Sequence, residues 1–279
     1  MTTTVAARPL VTADWARQHL DDPKVRFVEV DVDTTAYDQG HIPGAVGWDW
    51  TSQLADGLRR DLASTADIQA LLRSAGVDDD THIVLYGDNS NWFAAWAYWQ
   101  LRLHGIEAVS LLDGGRKLWL DQGLPLTTDA PSHPAGSITV AEPDYALRAF
   151  RDDILPHLDD GTLALVDVRS PAEYSGEVVA PPGMSETAQR GGHIPGAASI
   201  PWSQAVAEDG TFKGPEALKA LYEARGVTPE RDIIAYCRIG ERSSHTWFVL
   251  HELLGYPRVR NYDGSWTEWG SMVGVPIER

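Results

Sequence analysis

Four short patterns occur twice in this chain, in the same order. Val28-Glu-Val-Asp31 is matched by Leu165-Val-Asp-Val-Arg169, and Tyr37…Gly40-His-Ile-Pro-Gly-Ala45 by Tyr174…Gly192-His-Ile-Pro-Gly-Ala197. His82-Ile-Val-Leu-Tyr86 is matched by Asp232-Ile-Ile-Ala-Tyr236, and Asp113-Gly-Gly…Trp119 by Asp263-Gly-Ser…Trp269. From Tyr86 to Trp119 the offset to the second copy is a constant 150 residues. A repeat this long closes its own core, so two copies mean a duplicated domain and not a solenoid.

Each copy reads as α/β. Short apolar runs at 27–30, 82–86 and 109–112 in the first copy, and at 164–168, 233–236 and 259–262 in the second, read as strands. They alternate with amphipathic stretches at 66–75, 93–104, 215–225 and 244–254. That alternation predicts βαβ units and parallel sheets, with chemistry past the carboxyl ends of the strands. The Pro-, Ser- and Thr-rich segment 126–143 reads as a connection, which predicts a first domain over 1–127, a linker over 128–142 and a second domain over 143–279. The second copy carries 15 extra residues, about 175–190 with Pro181-Pro182-Gly183: 17 residues separate Tyr174 from Gly192, against two between Tyr37 and Gly40. This segment is read as a loop that covers the site or as a plain surface insertion.

A formal net charge of −17 lacks the basic face that nucleic-acid binding needs. The longest apolar stretches are of strand length, too short to span a membrane. The segment Met1–Arg8 has no basic-then-apolar leader pattern. A single cysteine permits no internal disulfide and fits a reducing compartment, so a cytoplasmic protein is expected. No histidine, cysteine and carboxylate set has metal spacing, and no phosphate-binding glycine loop or dinucleotide fingerprint appears, so neither a metal nor a cofactor is expected.

That cysteine, Cys237, ends an apolar run and opens Cys237-Arg-Ile-Gly-Glu-Arg-Ser-Ser244, followed by the helical pattern. A thiol carried by a strand end to a helix start, between arginines, is placed for nucleophilic sulfur chemistry. The repeat sets Gly87 against Cys237, Asp88 against Arg238 and Trp92 against Arg242, so the first copy lacks the nucleophile and both cations. Five readings follow. The thiol is expected to rest ionised, well below the ordinary value of about 8.5. Arg238 and Arg242, with exposed loop N–H groups, capture an anion. Glu241 points away and pairs with an arginine. Gly240 takes a positive φ, and Ser243 and Ser244 suit the helix start. His245 reads as a satisfied helix histidine, and His41 and His193, present in both copies, read as structural.

These residues resemble the tandem-domain rhodaneses, the thiosulfate sulfurtransferases, over essentially the whole chain. The resemblance rests on both Gly-His-Ile-Pro-Gly-Ala turns, Asn91-Trp-Phe-Ala-Ala-Trp96, Asp113-Gly-Gly-Arg-Lys117, Asp263-Gly-Ser-Trp266 and, most specifically, the Cys237-Arg-Ile-Gly-Glu-Arg loop, which looks like the actinobacterial branch. It implies two similar domains, each a five-stranded parallel sheet flanked by helices, the first of them inactive. It implies a Cys237 persulfide that takes sulfur from thiosulfate, releases sulfite and passes the sulfur to cyanide or to a thiol such as a thioredoxin-like protein. It also implies substrate binding by Arg238, Ile239, Gly240, Glu241, Arg242 and Ser243. Animal rhodaneses carry a basic residue where Ile239 stands and an arginine where Glu173 falls, so anion binding here leans on Arg238 and Arg242.

Three rivals remain. The mercaptopyruvate branch has glycine in place of Arg238. Cysteine phosphatases separate cysteine and arginine by five residues, against four between Cys237 and Arg242. A sulfur carrier or redox sensor would use the same thiol without turnover, although a sensor wants a resolving cysteine, and the chain has none.

Overall fold

The computed structural model describes residues 8–31, 33–158, 160–180 and 187–279. The Pro181-Pro182-Gly183 part of the insertion, and most of the segment read for a leader, lie outside the described residues. The chain divides into two compact units. One runs up to Asp144 and takes in Glu208–Thr211; the other comprises Tyr145–Ala207 and Phe212–Arg279.

The first unit is built on a parallel five-stranded sheet in the order Leu10–Val11, Val109–Leu112, His82–Tyr86, Val25–Asp31, Val46–Asp49. Val25–Asp31 is buried along its whole length, as a central strand covered on both faces must be. Ser64 opens the helix Thr65–Ser74 by accepting the Asp67 N–H on its hydroxyl. The helix Asp88–Leu103 is broken near its start by a kink of three consecutive left-handed residues, Asn89, Ser90 and Asn91, at φ 50°, 54° and 67°. The segment expected to be a linker instead lies along this unit. Gly136 N–H donates to Arg73 O, Ile138 N–H to Val77 O and Ser137 N–H to Asp78, and Ile138 and Val140 are buried.

The second unit repeats the plan with the order Val259–Asn261, Asp232–Tyr236, Leu163–Asp167, Ala198–Ser199, all parallel. The fifth position is kept as a single parallel bridge, Arg148 to Asn261, beside an Ala149 N–H to Asn261 O bond. Two residues pair at the corresponding edge of the first unit.

Both Gly-His-Ile-Pro-Gly turns are held in the same way. Tyr86 and Tyr236 hydroxyls accept the N–H of Ile42 and Ile194. Tyr37 and Tyr174 hydroxyls donate to Ala45 O and Ala197 O, and their rings stack on His41 and His193. A buried arginine then ties the turn glycine's carbonyl to a strand-end carboxylate: Arg116 joins Gly40 O to Glu29, and Arg169 joins Gly192 O to Asp167. The two arginines sit at non-equivalent points of the repeat, so the ion pair is shared by the two copies while its source residue is not.

Candidate active site

Cys237 follows the strand Asp232–Tyr236 directly, at its carboxyl end, and is fully buried. Its backbone is strapped by the segment after the next strand. Cys237 N–H donates to Ser265 Oγ at 3.0 Å, and that hydroxyl donates on to Tyr262 O at 2.7 Å. Trp266 N–H donates to Cys237 O at 3.1 Å, while Thr267 donates to Arg238 O through both its N–H and its hydroxyl. The first copy keeps part of this frame. Arg116 N–H donates to Gly87 O at 3.1 Å, and Asn91 Oδ1 takes the Gly87 N–H in place of a serine. A Cβ on Gly87 would lie 2.5 Å from Val30 O and 3.0 Å from Asp31 Oδ1.

The loop turns back on the sulfur at Gly240, whose φ of 108° is left-handed and whose N–H donates to Cys237 Sγ at 3.1 Å. The helix therefore starts at Glu241, three residues earlier than the apolar pattern implies. It runs as Glu241–Phe248 and continues through a π-helical turn, Val249–Leu253. The Ser243 and Ser244 hydroxyls both donate to Gly240 O, which also accepts from Asn261 Nδ2.

That earlier start overturns the expected orientation of Glu241. Placed in the first turn, four residues after Cys237, it faces the sulfur, with Oε2 at 3.4 Å from Sγ and Oε1 at 3.7 Å from Arg242 Nε. Arg242 is likewise less available to an anion than expected. Its two terminal nitrogens fork onto Glu173 at 2.9 and 3.0 Å, with both side chains buried. Glu173 is aimed by the start of its own helix, Pro171–Ser175, where Ser170 and Glu173 form a reciprocal capping box. Arg238 and Ile239 are buried too, so the loop is enclosed and not exposed.

Depth also reverses the expected ionisation. Burial pushes the Cys237 thiol up, and the Glu241 charge adds to that; Arg242 and the Ser243 and Gly240 N–H groups oppose it without prevailing. These surroundings favour the thiol over the thiolate, with Glu241 as its neighbour. His245 is no satisfied histidine: its ring stacks on Phe212 at 4.7 Å and meets Trp202 edge-on, and neither ring nitrogen has a hydrogen-bond partner. Burial drives its pKa down to about 3, so it packs as a neutral ring. Among the described residues no cluster of three or more His, Cys, Asp or Glu is placed to hold a metal, and no helix is long and apolar enough to cross a membrane.

Burial works against the Glu173 charge, but its hydrogen bonds to Arg242 win and hold its pKa below the usual carboxylate range. A group with a depressed folded pKa contributes stability above its unfolded value of about 4.3 and loses it as pH falls through the folded value. Urea midpoints measured from about pH 5 downward should thus fall less steeply in Glu173→Gln, because that variant lacks the titrating group. Equal slopes would show that the pair carries no acid-sensitive stability.

The straps from Ser265 and Thr267 and the fork from Glu173 hold this loop, and the sequence did not single them out. The one available signal was the repeated Asp-Gly pattern ahead of Ser265, which reads locally as a turn.

A family model described as a rhodanese-like domain matches the chain twice, at residues 12–122 and 151–272. A Haloferax volcanii protein named "Putative thiosulfate sulfurtransferase" is 55% identical over 97% of this chain and 96% of its own. The sulfur carrier protein TtuD of Thermus thermophilus is 53% identical, over 97% and 96%. Among solved structures, the 3-mercaptopyruvate sulfotransferase SseA of Escherichia coli superposes with a TM-score of 0.79 at 31% identity, covering 93% of this chain and 99% of that one.

Proposed function

The chain belongs to the rhodanese family, with the rhodanese-like domain present twice, and on that footing we propose that it moves the sulfane sulfur of thiosulfate to a thiol acceptor, or to cyanide in an assay, through a persulfide on Cys237. Sulfurtransfer is the activity its relatives' names carry; the donor, the acceptor and the residue roles are our reading. The observation that carries it is the sulfur itself. The chain's single cysteine stands at a strand's carboxyl end, beneath a helix N-terminus, with the Gly240 N–H already on Sγ.

Sγ attacks the outer sulfur of thiosulfate and sulfite departs. The Gly240 and Ser243 N–H groups and Arg242 favour negative charge on Sγ, as oxyanion-hole donors do for developing charge. Arg238 draws the anion, while Ile239 and the enclosed loop keep water from the persulfide. The second unit performs this chemistry, and the first, with Gly87 where the nucleophile would stand, serves as scaffold.

A protein thiol is the favoured acceptor, since a relative bears the name of a sulfur carrier. Intact mass spectrometry after thiosulfate should show the gain of one sulfur atom, removed by cyanide, with ping-pong kinetics in turnover. A protein that gains no cyanide-labile sulfur would end this reading.

A further inference from the structure

The position of Glu241 is costly unless it works. A carboxylate 2% exposed, with an oxygen 3.4 Å from a nucleophilic sulfur, opposes the thiolate that the reaction needs. A site built only to hold a thiolate would put an apolar or cationic side chain there. The two oxygens of the carboxylate are divided: Oε1 faces the Arg242 guanidinium and Oε2 faces Sγ. Arg242 is in turn fixed by Glu173, so Glu241 is held in one orientation with one oxygen turned to the thiol.

The other charged groups around the site are committed elsewhere. Arg169 is forked by Asp167, Asp263 by Arg148, and His245 packs as a neutral ring on the same helix. Arg238, adjacent to the cysteine, is a cation and not a base. Glu241 both touches Sγ and can accept a proton.

We propose that Glu241 is the proton acceptor of Cys237, taking the Sγ proton as sulfur is captured and returning it as sulfur is handed on. This deepens the sulfurtransferase reading and rests on it. In the first half-reaction the proton moves from Sγ to Oε2 and the Sγ electron pair bonds the outer sulfur of thiosulfate. The bond between the two thiosulfate sulfurs breaks with its pair on sulfite, and the persulfide's outer sulfur carries the remaining negative charge. In the second, an acceptor thiolate bonds that outer sulfur. The Sγ–S bond breaks with its pair on Sγ, which recovers the proton from Glu241. Nothing is oxidised or reduced overall, and the proton never has to leave the buried loop.

The test uses a probe that needs no sulfur donor, the alkylation of Cys237 by iodoacetamide followed by mass spectrometry across pH, alongside single-turnover persulfide formation from thiosulfate. Glu241→Gln keeps the shape and removes the base. At about pH 7 both rates should fall by about 10²-fold, then rise roughly tenfold per pH unit as the thiol ionises unaided, regaining the wild-type rate in alkali. Glu241→Asp should recover part of the loss. If the carboxylate is only a repulsive neighbour, Glu241→Gln will react as fast as wild type or faster at about pH 7, and the proposal fails.

Wild type supplies a readout free of any folding defect. Its alkylation should decline only as pH drops through the carboxylate range, and a decline through the thiol range overturns the assignment. Should wild type alkylate as described yet take no sulfur from thiosulfate, the donor reading falls and the role of Glu241 stands.

Discussion

Cys237→Ser loses sulfur transfer by on the order of 10⁴-fold or more in kcat/KM, to the background of the uncatalysed reaction, while the protein stays folded. Removing the nucleophile of a covalent mechanism removes the intermediate itself, and such losses are among the largest known. A serine hydroxyl cannot form a persulfide. Its oxygen can still take the Gly240 N–H and donate to Glu241, the two partners that Sγ has now. The oxygen offers both partners a polar group of similar shape, so the stability cost is small, about 1 kcal/mol. The diagnostic outcome is therefore a variant with near-normal melting that gains no sulfur from thiosulfate and releases no sulfite. Substantial residual turnover would move the chemistry off this residue and out of the chain's sole cysteine.

The second large effect falls on stability. Arg242→Ala leaves Glu173 buried with no counter-charge and strips Glu241 of its cation. Breaking a buried pair by deleting one partner costs about 3–5 kcal/mol, because the surviving charge stays in the interior. For a protein of this size that lowers the melting temperature by on the order of 10 °C. Burial works against the Arg242 charge, yet the bonds to Glu173, with Cys237 and Glu241 nearby, raise its pKa far above the usual value, which marks how firmly the cation is held. Arg242→Lys should fall between, since an ammonium cannot make the fork. Calorimetry decides the matter: an unchanged melting temperature would show that the pair is not an anchor of this unit.

Much of the scaffold could be read from the residues because it rests on period and repetition. The constant offset from Tyr86 to Trp119 aligned two copies, and the apolar runs at 82–86 and 233–236 marked the central strands from which the site hangs. The strands Val46–Asp49 and Ala198–Ser199 escaped because each is short and follows a turn with little apolar pattern of its own. The edge bridge at Arg148 is shorter still.

At the site, the place of the sole cysteine, at a strand end just before a helix, was legible and its depth was not. Residue spacing shows a helix near Cys237, but the turn at which that helix begins decides where Glu241 points. That turn is set by the left-handed Gly240 and by hydrogen bonds from residues 243, 244 and 261. The depth of the sulfur is likewise a sum over distant packing. It decides whether the arginine or the desolvation prevails, and desolvation prevails. Glu173, which looked like a missing cation, proves to be the partner of one that is present.

Gly87 has a bearing on any attempt to make the first unit active. With Val30 O 2.5 Å from where its first side-chain atom would stand, the copy that lacks a thiol cannot regain one by a single substitution. Backbone of the neighbouring strand occupies the space a side chain would need, and Asn91 accepts the N–H that a serine takes in the other half. Restoring a thiol in the first unit therefore calls for coordinated changes at Gly87, Val30 and Asn91, not for one substitution.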